Sequence, residues 1–189
     1  MSKSLSLSSL IGRSLSAPLA RLWRDDGGVT AIEFGLLATP FFAVIGAILE
    51  TSMVFLAGGV MDGAVQDATR LIRTGKAQSP SFTVAQFETL ICDRLFGLFR
   101  DCDELRVSVT PVVNFTSATV VSPVDPNCTS SCPWTIPEEF DTGQTSSTVL
   151  VQVYYKWPLM LSAISMQPTD LADGTRLLGS VRVFRNEPF

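Results

Sequence analysis

Histidine is absent from the sequence. Its absence excludes Ser-His-Asp and Cys-His catalysis and the common histidine metal sites. Lysine is almost as scarce. Beyond residue 28 only Lys76 and Lys156 occur, and neither lies near a convincing serine motif for a Ser–Lys dyad. There is no glycine-rich phosphate loop and no internal repeat. Charged residues make up only 17% of the chain against 46% apolar, and the formal net charge is −4. Such an acidic chain lacks the basic face that nucleic acid demands. These absences predict a non-enzymatic protein with no cofactor, no metal, no small-molecule substrate and no nucleic-acid partner.

The apolar excess is concentrated between Phe34 and Leu56, a run of 23 residues. A bilayer core needs about 20 residues of helix, so the run predicts one transmembrane segment and a membrane-lipid environment. Residues 1–28 carry a net charge of +2 and the remainder −6. By the positive-inside rule, Arg21 and Arg24 favour a cytoplasmic N-terminus, although Arg70, Arg73 and Lys76 on the far side make the bias modest. Pro40 removes one helical hydrogen bond and is expected to kink the membrane helix, with Thr39 beside it to re-satisfy the backbone. Glu50 reads as an acid at the outer interface.

The helical period does not stop at the membrane. Val60, Ala64, Val65, Ala68, Leu71 and Ile72 share one face, with Asp62, Gln66, Asp67, Arg70 and Arg73 largely on the other. Asp67 and Arg70 stand in the favourable acid-before-base order. Gly58-Gly59 is a candidate hinge and Gly75 a candidate stop. A second helix is announced by Thr83-Val84-Ala85-Gln86, a capping box, with Phe82 and Phe87 placed as a staple. Its expected buried stripe is Phe87, Leu90, Ile91, Leu95 and Leu98. Strands are predicted at 105–110 and 149–155, with a further strand from Leu177 to Phe184 and a hairpin arm at 112–121. Residues 122–147, rich in proline, read as a long loop. In Tyr154-Tyr155-Lys156-Trp157 the aromatics are expected to pack on the sheet rather than to form a binding patch.

Four cysteines, Cys92, Cys102, Cys128 and Cys132, follow the membrane segment. An even number in an oxidising compartment suggests two disulfides. Of the three possible pairings, the local one is favoured, Cys92–Cys102 with Cys128–Cys132. Zinc is the rival, but the spacings suit a structural zinc knuckle poorly. The resulting organisation is α+β. It comprises a leader at 1–28, a transmembrane helix at 29–57, an amphipathic extension at 58–75 and an extracytoplasmic domain at 76–189. In that domain a second helix precedes a small antiparallel sheet.

The junction Arg24-Asp25-Asp26-Gly27-Gly28-Val29-Thr30-Ala31-Ile32-Glu33-Phe34 sits at the start of the apolar run. An ionisable group there is costly and by default a functional clue. The arrangement resembles a prepilin cleavage site, with the cut after Gly28 and Val29 as the new N-terminus. The stretch from Gly28 to Phe42, and the ending Asn186-Glu187-Pro188-Phe189, resemble the TadE-like family, minor pseudopilins of the tight-adherence (Flp-type IV) pilus machinery. Phe34 departs from the tyrosine of the best-known pilin subgroup, and a 28-residue leader is long beside short pilin leaders. The resemblance implies a pilin-like long helix and a structural, non-catalytic role. It also implies an inner-membrane protein of a bacterium with its C-terminal domain in the periplasm, associated with the pilus. The implied partners are a prepilin peptidase, other pilus subunits and the inner-membrane assembly platform. The Glu33 carboxylate would then neutralise the Val29 amine of a neighbouring subunit. The alternative is an unprocessed single-pass protein with a periplasmic binding domain.

Overall fold

The computed structural model describes residues 28–78, 82–100, 102–160 and 171–189. The leader ahead of Gly28 lies outside them. The chain divides into two compact units, Met1–Phe42 and Ala43–Phe189. The architecture is α+β, as the sequence predicts: a long apolar helix, a short second helix and a three-stranded antiparallel sheet.

Helix α1 runs from Val29 to Arg73, 45 residues, and continues through Gly58-Gly59 without a break. Fourteen large apolar side chains between Val29 and Leu56 are exposed. From Val54 onward a stripe turns inward: Val54, Ala57, Met61, Ala64, Val65, Ala68 and Ile72 are buried. Their spacing of three and four residues is that of one helix face. The expected residues Val60 and Leu71 lie at its margin, only partly buried. Met61, four residues before Val65, lies in the buried stripe instead. Burial by the head therefore begins inside the apolar run.

The end of α1 is built as a complete Schellman motif. Lys76 N–H donates to Leu71 O (2.9 Å) and Gly75 N–H to Ile72 O (3.1 Å). Gly75 takes the left-handed conformation that this motif requires, with φ +79°.

Helix α2 spans Val84–Asp93 and starts with the predicted capping box: Gln86 N–H donates to Thr83 Oγ1, and Thr83 N–H to Gln86 Oε1. Phe82 and Phe87 do not stack on each other. Both pack on Phe140, with ring centroids 6.0 and 5.6 Å away. Phe87, Ile91 and Leu95 are buried, while Leu90 and Leu98 lie less deep.

Strands β1 (Arg106–Val112), β2 (Thr148–Pro158) and β3 (Thr175–Arg185) pair in the order β1-β2-β3, all antiparallel. The expected hairpin arm at 112–121 does not form. Asn114 Oδ1 accepts from Ser117 N–H (2.9 Å) and Thr116 Oγ1 (2.6 Å), which curls the chain into a 3-10 turn at Phe115–Ser117. The partner of β1 comes instead from β2, with Val109 opposite Val151. The other edge of β1 is closed briefly where Val109 exchanges hydrogen bonds with Glu139 O and Asp141 N.

The alternate residues Val149, Val151, Val153 and Tyr155 face the main core with α1 and α2. The opposite residues Leu150, Gln152 and Tyr154 are buried too, so β2 is covered on both faces. Tyr154 lies across Gly179, its register partner, where a Cβ would sit 2.8 Å from the ring. The proline-rich loop is not coreless, as its composition suggests. Val124, Cys132 and Leu171 form a small second core, flanked by Cys128, Trp134 and Leu177.

Candidate membrane and assembly site

The N-terminal signature lies on the first turns of α1. Gly28 precedes the helix, and nothing among the described residues stands within 4 Å of where its Cβ would be. Packing thus does not demand glycine at this position. Val29 opens the helix, and Glu33 follows one turn later on the same face, exposed. Thr39 Oγ1 donates to Gly35 O at 2.8 Å. Pro40 withholds its N–H from Leu36 O, the next carbonyl along. The threonine back-bond therefore serves the carbonyl one residue earlier than the one Pro40 leaves open. No group of three or more potential metal ligands occurs among the described residues.

The exposed apolar stretch is what a membrane environment would cover. Burying one large apolar side chain is worth about 1.5–3 kcal/mol, so fourteen of them left in water would cost on the order of tens of kcal/mol. The helix is long and apolar enough to cross a membrane.

The cysteines are joined as Cys92–Cys102 and Cys128–Cys132. The first ties the end of α2 to the turn leading into β1. The second sits within the small loop core.

Several polar residues hold the head on α1. Asp62 accepts from Ser180 Oγ (2.7 Å) and from Arg182 on β3. Asp67 pairs with Arg94 just after α2 rather than with Arg70, the neighbour that helical spacing offers. Lys156, one of two lysines available for a catalytic dyad, is engaged by Cys132 O, by Asp173 at 3.8 Å and by the Trp134 ring at 4.8 Å. It is a strut between the loop core and the β3 turn. Tyr155 and Trp157 stack edge-on against Phe99, with ring centroids at 4.7 and 5.3 Å.

The tail Asn186–Phe189 has a role that sequence reasoning did not assign. Asn186 is buried, and its Nδ2 donates to Thr142 O and Gln144 O, both at 3.0 Å. Glu187 N–H donates to Arg73 O (2.9 Å), and its carboxylate pairs with Arg73 Nε at 3.3 Å. Phe189 covers Gly75. The tail thus fastens the loop at 142–147 to the end of α1. No local signal in the sequence links this tail to the stop at Gly75, more than a hundred residues earlier; only the fold brings them together.

This is an α+β head built on the distal part of a helix whose proximal part suits a membrane. The TadE-like protein family model matches residues 28–70, which is 43 of the 189 residues and covers nearly all of α1. That family is associated with Tad pilus assembly and is not an enzyme family. The match does not reach the sheet, the disulfides or the tail. No curated protein and no solved structure matches the chain.

Proposed function

We propose that the protein is a minor pseudopilin, a structural subunit that helps to assemble a tight-adherence pilus. A prepilin peptidase removes residues 1–28 by cutting after Gly28. The mature chain begins at Val29 and is held in the bacterial inner membrane by α1, with residues 29–57 as the anchor, 58–75 as its amphipathic extension and 76–189 in the periplasm. The observation that carries this reading is the coincidence of the family match with the signature at the head of α1. Gly28 is not required by packing, Glu33 lies one turn beyond Val29, and an exposed apolar helix follows.

The role of Glu33 follows from electrostatics. Apolar helices side by side in lipid slide with little preference. A carboxylate that meets the Val29 amine of a neighbouring subunit fixes the register, and breaking such a pair from one side costs about 3–5 kcal/mol. Pro40 and the Thr39 back-bond bend this part of the anchor and set the direction in which it meets its neighbours. Other pilus subunits and the assembly platform supply those neighbours.

Glu33→Gln tests the reading. It keeps the side chain's size and removes the charge. Processing and insertion are expected to survive, while co-purification with partner subunits and the number of surface pili fall. Normal piliation by a stable, processed Glu33→Gln protein would remove the charge pair from the account.

A further inference from the structure

A groove of about 550 Å³ opens on the head where it meets the outer end of the apolar stretch of α1. One wall is α1 at Gly46, Leu49 and Met53, and the other is the end of β2 at Tyr155 and Trp157, with Leu98 beside them. Among the described lining residues Arg100 brings the one positive charge and Glu50 the one negative. Glu50 Oε1 already accepts the Met160 N–H at 2.5 Å. Met160 itself is 96% exposed.

The level of this groove rests on the membrane reading above. It lies along α1 between Gly46 and Met53, near the outer end of the exposed apolar stretch that stops at Leu56. That end is where the hydrocarbon gives way to the headgroups of the leaflet facing the head. An indole favours that level, because one edge is apolar and the other can meet water. A guanidinium favours it too, since it pairs with phosphate in a bidentate fork.

We propose that the groove binds an anionic phospholipid of that leaflet. Its acyl chain lies along Leu49, Met53 and Trp157, and its phosphate meets Arg100. The head then rests on the bilayer surface. Bound lipid would also fill the apolar wall that another subunit must displace when this one leaves the membrane for an assembly.

The test uses the full chain in nanodiscs, with Trp23 and Trp134 replaced by Phe so that Trp157 reports alone. In mixed bilayers of zwitterionic and anionic phospholipid, only the anionic lipid carries bromine, near the headgroup end of its chains. Trp157 emission is expected to fall about twofold, with anionic lipid enriched at the site over its mole fraction, and Arg100→Gln is expected to lower that relative affinity roughly fivefold. A second variant, with Trp157 also replaced by Phe and Phe42→Trp introduced, reports on the anchor itself through lipid brominated deep in the chains. Quenching at position 42 without quenching at Trp157 overturns the groove proposal and leaves the membrane reading intact. Failure at position 42 overturns the membrane reading. Protection of Trp157 from both brominated lipid and aqueous acrylamide means that protein fills the groove, a second copy or another segment, and also overturns the proposal. Equal quenching in wild type and Arg100→Gln overturns the phosphate contact.

Discussion

The ring of Phe189 occupies the space that a side chain at Gly75 would need: a Cβ there would fall 2.5 Å from the ring's Cγ. Gly75 is also left-handed, with φ +79°. Two independent reasons therefore select glycine at this one position.

Gly75→Ala is expected to destabilise the head by about 1–3 kcal/mol, from left-handed strain and the clash with the ring combined. In a Phe189→Ala background the same change is expected to cost less, because only the strain remains. Thermal unfolding of the four proteins of this double-mutant cycle measures the difference. Strict additivity would show that the ring and Gly75 do not interact in solution.

Asn186 is expected to matter as much. Its buried amide serves two carbonyls of the 142–147 loop, so Asn186→Ala leaves Thr142 O and Gln144 O without that donor. A loss of about 1–3 kcal/mol follows, read as a lower denaturant midpoint with an unchanged slope.

The two disulfides close short loops, with sequence separations of 10 and 4. Loop-closure entropy assigns them about 3 and 2 kcal/mol respectively. Replacing Cys92 and Cys102 together by Ser is expected to have the larger effect on unfolding. Alkylation followed by intact mass checks the pairing itself: the account expects no free thiol in protein from an oxidising compartment, and four free thiols would contradict it.

Burial pushes the Tyr154 phenol above its ordinary value of 10.0. The sign follows from linkage. In the folded state the phenol holds its proton to higher pH than in the unfolded chain, so its contribution is intact below pH 10 and falls as pH rises from there through the folded value. Stability measured across this alkaline window is expected to fall, and Tyr154→Phe is expected to remove that part of the slope. Spectrophotometric titration in a Tyr155→Phe background follows the phenol directly.

Local signals made much of the fold legible. The capping box at Thr83 lies within four residues, and the Schellman stop at Gly75 within six, so both could be read from neighbouring residues. The alternation from Val149 to Tyr155 likewise announced β2. Pairing was less legible, because it is not local. The partner of β1 lies beyond a long loop, while the nearer residues at 112–121 were diverted by Asn114. The Asp62–Arg182 and Asp67–Arg94 pairs were hidden for the same reason, since helical spacing proposes only neighbours on the same helix. In the candidate site, the Gly28–Glu33 signature was readable because it is a contiguous pattern. The groove at Glu50 was not, because part of its wall comes from the end of β2, about a hundred residues further along the chain.

The central claim is that this chain is processed as a pilus subunit, and N-terminal sequencing tests it most directly. The protein is expressed with its cognate prepilin peptidase and extracted from the membrane, beside a Gly28→Leu variant. The account predicts a mature chain beginning Val29-Thr30-Ala31-Ile32-Glu33 in the first and an uncut chain in the second. Glycine at position 28 meets no packing demand from the described residues, so the variant's head is expected to keep its stability. A chain that still begins at Met1 in the presence of active peptidase would contradict the account.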